Sequence, residues 1–161
     1  MSTKANWLVK ASLATLLAAA TSAGFTAQET RTLAVTATIP GGCTLTTSGP
    51  LAFGTLDMSS TANETKSVTA TYKCATGITV SSFTVGGQST GPFTSTMTAL
   101  SPTNPDSIPY SISWTAPGPY QGEGFAVVGK QVVLNGTILN ADYISKHPDS
   151  YANAVLLAIN F

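Results

Sequence analysis

Leu33-Ala34-Val35-Thr36-Ala37-Thr38-Ile39 alternates without a break, and four residues later comes Cys43. Leu33, Val35, Ala37 and Ile39 fall on one face; Ala34, Thr36 and Thr38 fall on the other. A period of two is the signature of a strand with one buried side. The stretch lies close to a chain end, and chain ends are poorly ordered unless something ties them down. An apolar strand face at a free end needs a groove to fill. The expectation is that this groove lies in another copy of the same kind of subunit.

The end is free because the residues before it read as a secretion signal. Lys4 and Lys10 supply the basic start, residues 11–20 are apolar but too short to span a bilayer, and Thr21, Ala23 and Gly24 are small. The expected division is a signal peptide over residues 1–23 (cleavage between about 20 and 27), a donor extension over 24–40 and a β-sandwich domain over 41–161. Removing Lys4 and Lys10 leaves five basic residues against seven acids, a charge of −2. No basic patch exists, so nucleic acid is not an expected partner. Few charges with ample apolar content argue against disorder. Two cysteines, Cys43 and Cys74, in an exported chain imply one disulfide. Closing that loop is worth roughly 3–4 kcal/mol in the chain-entropy model. A metal or redox role is not expected, because there is no CxxC and His147 is the only histidine. No cofactor is expected.

Past Cys43 the chain reads as short strands between turn signals. Residues 44–46 continue extended, and Ser48-Gly49-Pro50 turns. Residues 51–56 read as a short strand with a Gly54 bend, and 57–63 as a polar loop. Val68, Ala70, Tyr72 and Cys74 share one face of the next strand. Residues 78–85 form a further strand whose alternation slips near Ser81-Ser82, a sign of a bulge. A glycine-rich turn over 86–92 leads into an ambiguous segment, 93–100, anchored by Phe93 and Met97. Ile108, Tyr110, Ile112 and Trp114 alternate cleanly. Residues 116–124 read as an exposed connection, and 125–128 and 131–139 as apolar strands. Asn135-Gly136 signals a tight hairpin or a bulge within one strand. After a loop over 140–150, Val155, Leu157, Ile159 and Phe161 share the face of a last strand. No amphipathic helix is evident. This spacing describes an all-β sandwich.

The residues resemble a family. Cys43-Thr44-Leu45, Leu51-Ala52-Phe53-Gly54-Thr55-Leu56 and Thr71-Tyr72-Lys73-Cys74-Ala75-Thr76-Gly77 occur in order. Met97, Ile108-Pro109-Tyr110-Ser111-Ile112 and Ser150-Tyr151-Ala152-Asn153 follow, with an alternating terminal strand. Together, over residues 33–161, they resemble the spore coat protein U-like domain of archaic chaperone–usher pilins. The family pattern has Gly and Asp where this chain has Ser150 and Asn153.

The resemblance implies an immunoglobulin-like sandwich that lacks one strand and is completed by a donor strand from a neighbouring subunit. It further implies a periplasmic chaperone, an outer-membrane usher and head-to-tail pilin neighbours as partners. The destination would be a surface pilus supporting adhesion and biofilm formation. Leu33, Val35, Ala37 and Ile39 would donate. Val155, Leu157, Ile159 and Phe161 would edge the acceptor groove and bind the chaperone.

Other readings are weaker. Trp114, Tyr120 and Phe125 would stack on a sugar if this were a stand-alone secreted carbohydrate-binding sandwich. Gly87-Gln88-Ser89-Thr90-Gly91 matches a nucleophile elbow, with Asp106 or Asp142 and His147 after it. That elbow requires a helix next, and Pro92-Phe93 supplies none. The chain is therefore not expected to be an enzyme. His147 itself reads as a solvated loop histidine.

Overall fold

Val68, Ala70, Tyr72 and Cys74 lie on the buried face of the longest strand, as their spacing predicts. A computed structural model describes residues 31–161; the expected signal peptide and residues 24–30 lie outside the described residues. In chain order the elements are β1 (Cys43–Thr47), β2 (Glu64–Cys74), β3 (Thr79–Val80), β4 (Ser82–Val85) and β5 (Phe93–Ala99). They continue with β6 (Ser107–Ser113), β7 (Tyr120–Gln121), β8 (Lys130–Ile138), α1 (Asn140–Tyr143), β9 (Tyr151–Ala152) and β10 (Leu157–Asn160).

The fold is all-β and immunoglobulin-like. The main sheet has the order β1-β2-β8-β6-β5-β9, every pair antiparallel. Two short antiparallel pairs, β4–β10 and β3–β7, carry the other side of the core. Ile108, Ile112, Val132, Leu134 and Ile138 come from the main sheet; Val80, Phe83 and Val85 come from the short pairs. The Tyr72 and Phe83 rings stack across this core with centroids 6.3 Å apart. Burying each such side chain is worth about 1.5–3 kcal/mol. Cys43 and Cys74 are direct partners in the β1–β2 register and form the disulfide, with Cα atoms 4.0 Å apart.

Five local expectations change. Residues 51–56 are not in a ladder: Gly54 turns at φ +79°, and Leu51 and Phe53 lie over β8 instead. A Cβ on Gly136 would stand 2.7 Å from Leu51 Cδ2 and 2.9 Å from Phe53 Cζ. That is why Asn135-Gly136 is neither hairpin nor bulge. β8 runs straight through it in unbroken register with β2, and the glycine makes room for the crossing segment. Residues 125–128 form a turn rather than a strand. The slip near Ser81 separates β3 from β4, so that each half pairs with a different strand. The loop after β8 contains the single turn α1, whose Tyr143 is buried.

Candidate functional site: an open strand edge and an apolar cleft

Leu157 and Ile159 of β10 are half-buried against the core, whereas Leu156 before them is 75% exposed. The segment has no Gly or Pro and is rich in branched apolar residues, as a strand prefers. Among the described residues β10 pairs with β4 and with no other strand. Its backbone polarity is readable from the bonds at β4. The Leu156 carbonyl accepts from Gly86 N–H at 2.8 Å, the Ala158 carbonyl from Thr84 Oγ1 at 3.5 Å, and the Asn160 carbonyl from Ser81 N–H at 2.8 Å. All three point toward β4. Alternation in an antiparallel pair then turns the N–H and C=O groups of Leu157 and Ile159 to the opposite edge. The residues that feed the core are thus the ones whose backbone faces outward along the strand plane. Such an edge is a template for one more strand.

The chain enters β10 past a cleft of about 530 Å³. Leu51, Phe53 and Leu56 line it together with Met97, Ile108 and Ile138. Polar loops close its rim. The Asp106 carboxylate accepts from the His147 backbone N–H at 2.8 Å and contacts its Nδ1 at 2.7 Å. Tyr151 donates its hydroxyl to the His147 carbonyl at 2.7 Å, and Asn104 donates to Asp149 at 3.0 Å. The His147 backbone N–H, then its ring, holds Asp106 below the ordinary carboxylate range. The Asn104 amide does the same for Asp149. His147 is therefore paired, not merely solvated, although its ring is 74% exposed.

The extension has a different character. Leu33 and Val35 are 84% exposed and Ile39 is 89% exposed; Ala37 is exposed too, and residues 31–42 carry no regular secondary structure.

The competing sites do not assemble. Ser89 sits in the turn before β5, and β5, not a helix, follows it. The Asp106–His147 pair is real but lies at the far end of β5, where Ala99 N–H donates to the Asp106 carbonyl. A seven-residue strand separates the two ends by about 20 Å. Trp114 is 9% exposed and Tyr120 packs edge-on against Tyr72 at 5.5 Å, leaving only Phe125 of the three to meet a ligand. Among the described residues no group of three or more His, Cys, Asp or Glu is placed to hold a metal ion. No helix among them is long and apolar enough to cross a membrane. Asn153 donates to Ser95 Oγ at 2.8 Å and Tyr110 Oη at 3.1 Å, tying the link between β9 and β10 to the main sheet. Sequence reading offers Asp106 and His147 only as partners for Ser89, and it misses the cleft walls. The apolar alternation of residues 51–56 was their only signal, and it read as a strand.

Comparison with protein families returns one model, the Spore Coat Protein U domain, over residues 29–117. The chain belongs to the Spore Coat Protein U domain family. Spore Coat Protein U domains are structural, pilin-type domains of surface- or pilus-associated proteins. The match starts ahead of the exposed extension, so residues 33–39 are part of the family pattern, and it stops before β7. The comparisons with curated proteins and with solved structures returned no match.

Proposed function

We propose that this chain is a structural pilus subunit that polymerises by lending residues 33–39 to the β10 edge of a neighbour. The observation that carries the reading is the outward-facing backbone of Leu157 and Ile159 beside half-buried apolar side chains. An added strand would satisfy those backbone groups whatever its sequence, and its alternate side chains would set register; strand addition of this kind completes pilins. Leu33, Val35, Ala37 and Ile39 would point inward. A one-residue slip would present Ala34, Thr36 and Thr38 instead, which disfavours mispairing. Each large side chain buried contributes about 1.5–3 kcal/mol before ordering costs. Donor and acceptor are different surfaces, and such heterologous contacts generate open filaments.

Before assembly the open edge would aggregate, which calls for a periplasmic chaperone to cover Val155, Leu157, Ile159 and Phe161 and for an outer-membrane usher to exchange it. The assembled pilus would serve adhesion and biofilm formation at the cell surface. The chain has no enzymatic role in this reading. The test compares mature protein with and without residues 24–39 by size-exclusion chromatography, SDS gels of unheated samples and electron microscopy. Full-length protein is expected to form SDS-resistant filaments and the deletion to abolish them. Equally stable monomers in both samples would sink the proposal.

A further inference from the structure

Most of the large exposed apolar side chains of residues 41–161 gather at two ends of the sandwich; Val133, Leu156 and Phe161 lie outside both groups. Of nine large ones, Phe125 and Val128 stand at one pole of the sandwich, and Met58, Leu100, Leu139 and Ile144 stand at the other. The first pole holds the disulfide. Gly124 N–H donates to the Cys74 carbonyl at 3.0 Å, and Lys73 Nζ reaches the Phe125 carbonyl at 3.4 Å. The second pole holds the cleft. There Asn140 donates to the Ser60 carbonyl at 2.6 Å and Tyr143 to the Ala62 carbonyl at 3.3 Å. Those bonds stitch loop 57–63, which carries Met58, to α1, which Leu139 precedes and Ile144 follows, so the three exposed side chains stand on adjoining segments.

A short leash connects the poles of successive subunits, if residues 33–39 enter a neighbour as proposed above. The Gly42 carbonyl is fixed by Ala75 N–H at 2.9 Å. From Gly42 back to Ile39 is three Cα steps, at most about 11 Å fully extended. The disulfide pole of the donor must then lie directly against the acceptor, at one end of β10. One end, at Asn160, faces the acceptor's own disulfide pole: Asn160 pairs with Ser82, Val80 pairs with Tyr120, and the Gly122 N–H after it bonds Ile78. That pole must also dock the acceptor's own donated strand within the same reach, so it cannot receive a second subunit. The other end, at Leu156, bonds Gly86; the chain just before it bonds Ser95 through Asn153 and pairs β9 with Thr98 and Ala99, so it leads toward the cleft pole, which is the pole left to receive the donor.

Charge agrees. The cleft half carries Asp57, Glu64, Asp106, Asp142 and Asp149 against Lys66 and Lys146, a net −3. The disulfide pole carries Lys73 and Lys130 against Glu123, a net +1.

We infer that the turn 125–128 of one subunit seats on the Met58, Leu139 and Ile144 rim of the next copy of this chain. This rests on the strand-exchange reading and adds a second contact to it. It makes the junction between subunits a packed joint rather than a free hinge, since a three-residue leash alone would let neighbours swing.

The test separates the two contacts. Assembled filaments carrying a benzophenone amino acid at position 128 are irradiated, and adducts are mapped by mass spectrometry. In parallel, Phe125→Ser/Val128→Ser is assembled after its melting curve has been matched to the unmodified protein. The expected adducts fall on residues 57–60 or 139–144 of a neighbour. The double variant should keep its SDS-resistant ladder, which reports strand exchange, but lose filament stiffness several-fold in micrographs. An intact ladder with adducts elsewhere, with none, or with unchanged stiffness overturns the joint and leaves strand exchange standing. Absence of a ladder in unmodified protein overturns both.

Discussion

Residues 33–39 and β10 have the same pattern and opposite fates. Leu33, Val35, Ala37 and Ile39 alternate as regularly as Val155, Leu157, Ile159 and Phe161. The first set is exposed and outside any ladder; of the second, Leu157 and Ile159 lie in β10 on the core with one edge paired to β4, whereas Phe161 lies past β10 and is 64% exposed. Alternation specifies that a strand has an apolar face. It does not specify which partner covers that face, or whether the partner belongs to the same chain. Partner choice comes from connection lengths and from what else competes for the core.

The disulfide marks the boundary between these two regions, so removing it tests their independence most strongly. Cys43→Ser/Cys74→Ser frees a loop with a sequence separation of 31, and the domain should lose about 3–4 kcal/mol in urea titrations. The exposure of residues 33–39 to limited proteolysis should not change. A smaller effect is expected inside β10. Ile159→Ala removes a half-buried side chain, so the loss should sit near the lower end of core truncations, about 2 kcal/mol. No loss there would mean that β10 is as loosely held as the extension.

The smallest effect concerns the loops that lead into β10. Asp106 is held ionised below its ordinary range by the His147 N–H and ring. A depressed folded pKa gives stability that is present above the unfolded carboxylate value and lost as pH falls through the folded one. Melting temperatures of the unmodified protein should therefore drop more steeply below about pH 4 than those of Asp106→Asn. Parallel profiles would mean that the pair does not help to hold the entrance to β10.

The strands whose inward faces meet the core were legible because burial imposes the period of two directly. Residues 68–74 and 108–114 were read with their faces correct, and the single disulfide followed from the cysteine count. What failed was local signal decided from across space. Asn135-Gly136 carries the strongest hairpin dipeptide, yet its glycine is used for clearance beneath Leu51 and Phe53, some 80 residues earlier. Residues 125–128 are apolar without being in a sheet. Asp106 and His147 are 41 residues apart, and nothing in either neighbourhood announces the other. Of the expected inward set at the chain's end, Val155, Leu157 and Ile159 pack on the core while Phe161 is 64% exposed and lies past β10; the cleft was not readable.

The position of the disulfide has a mechanical consequence. Pulling on the N-terminal end would ordinarily peel β1, a five-residue edge strand, from β2 one hydrogen-bonded pair at a time. Cys43 is the first residue of that strand, so tension arriving there passes through the covalent bond to Cys74. Cys74 ends β2, which lies between β1 and β8 and is bonded to both. The load bypasses the weak edge and is delivered in shear to β2, a strand bonded on both sides. Peeling is replaced by a mode in which many hydrogen bonds must fail together.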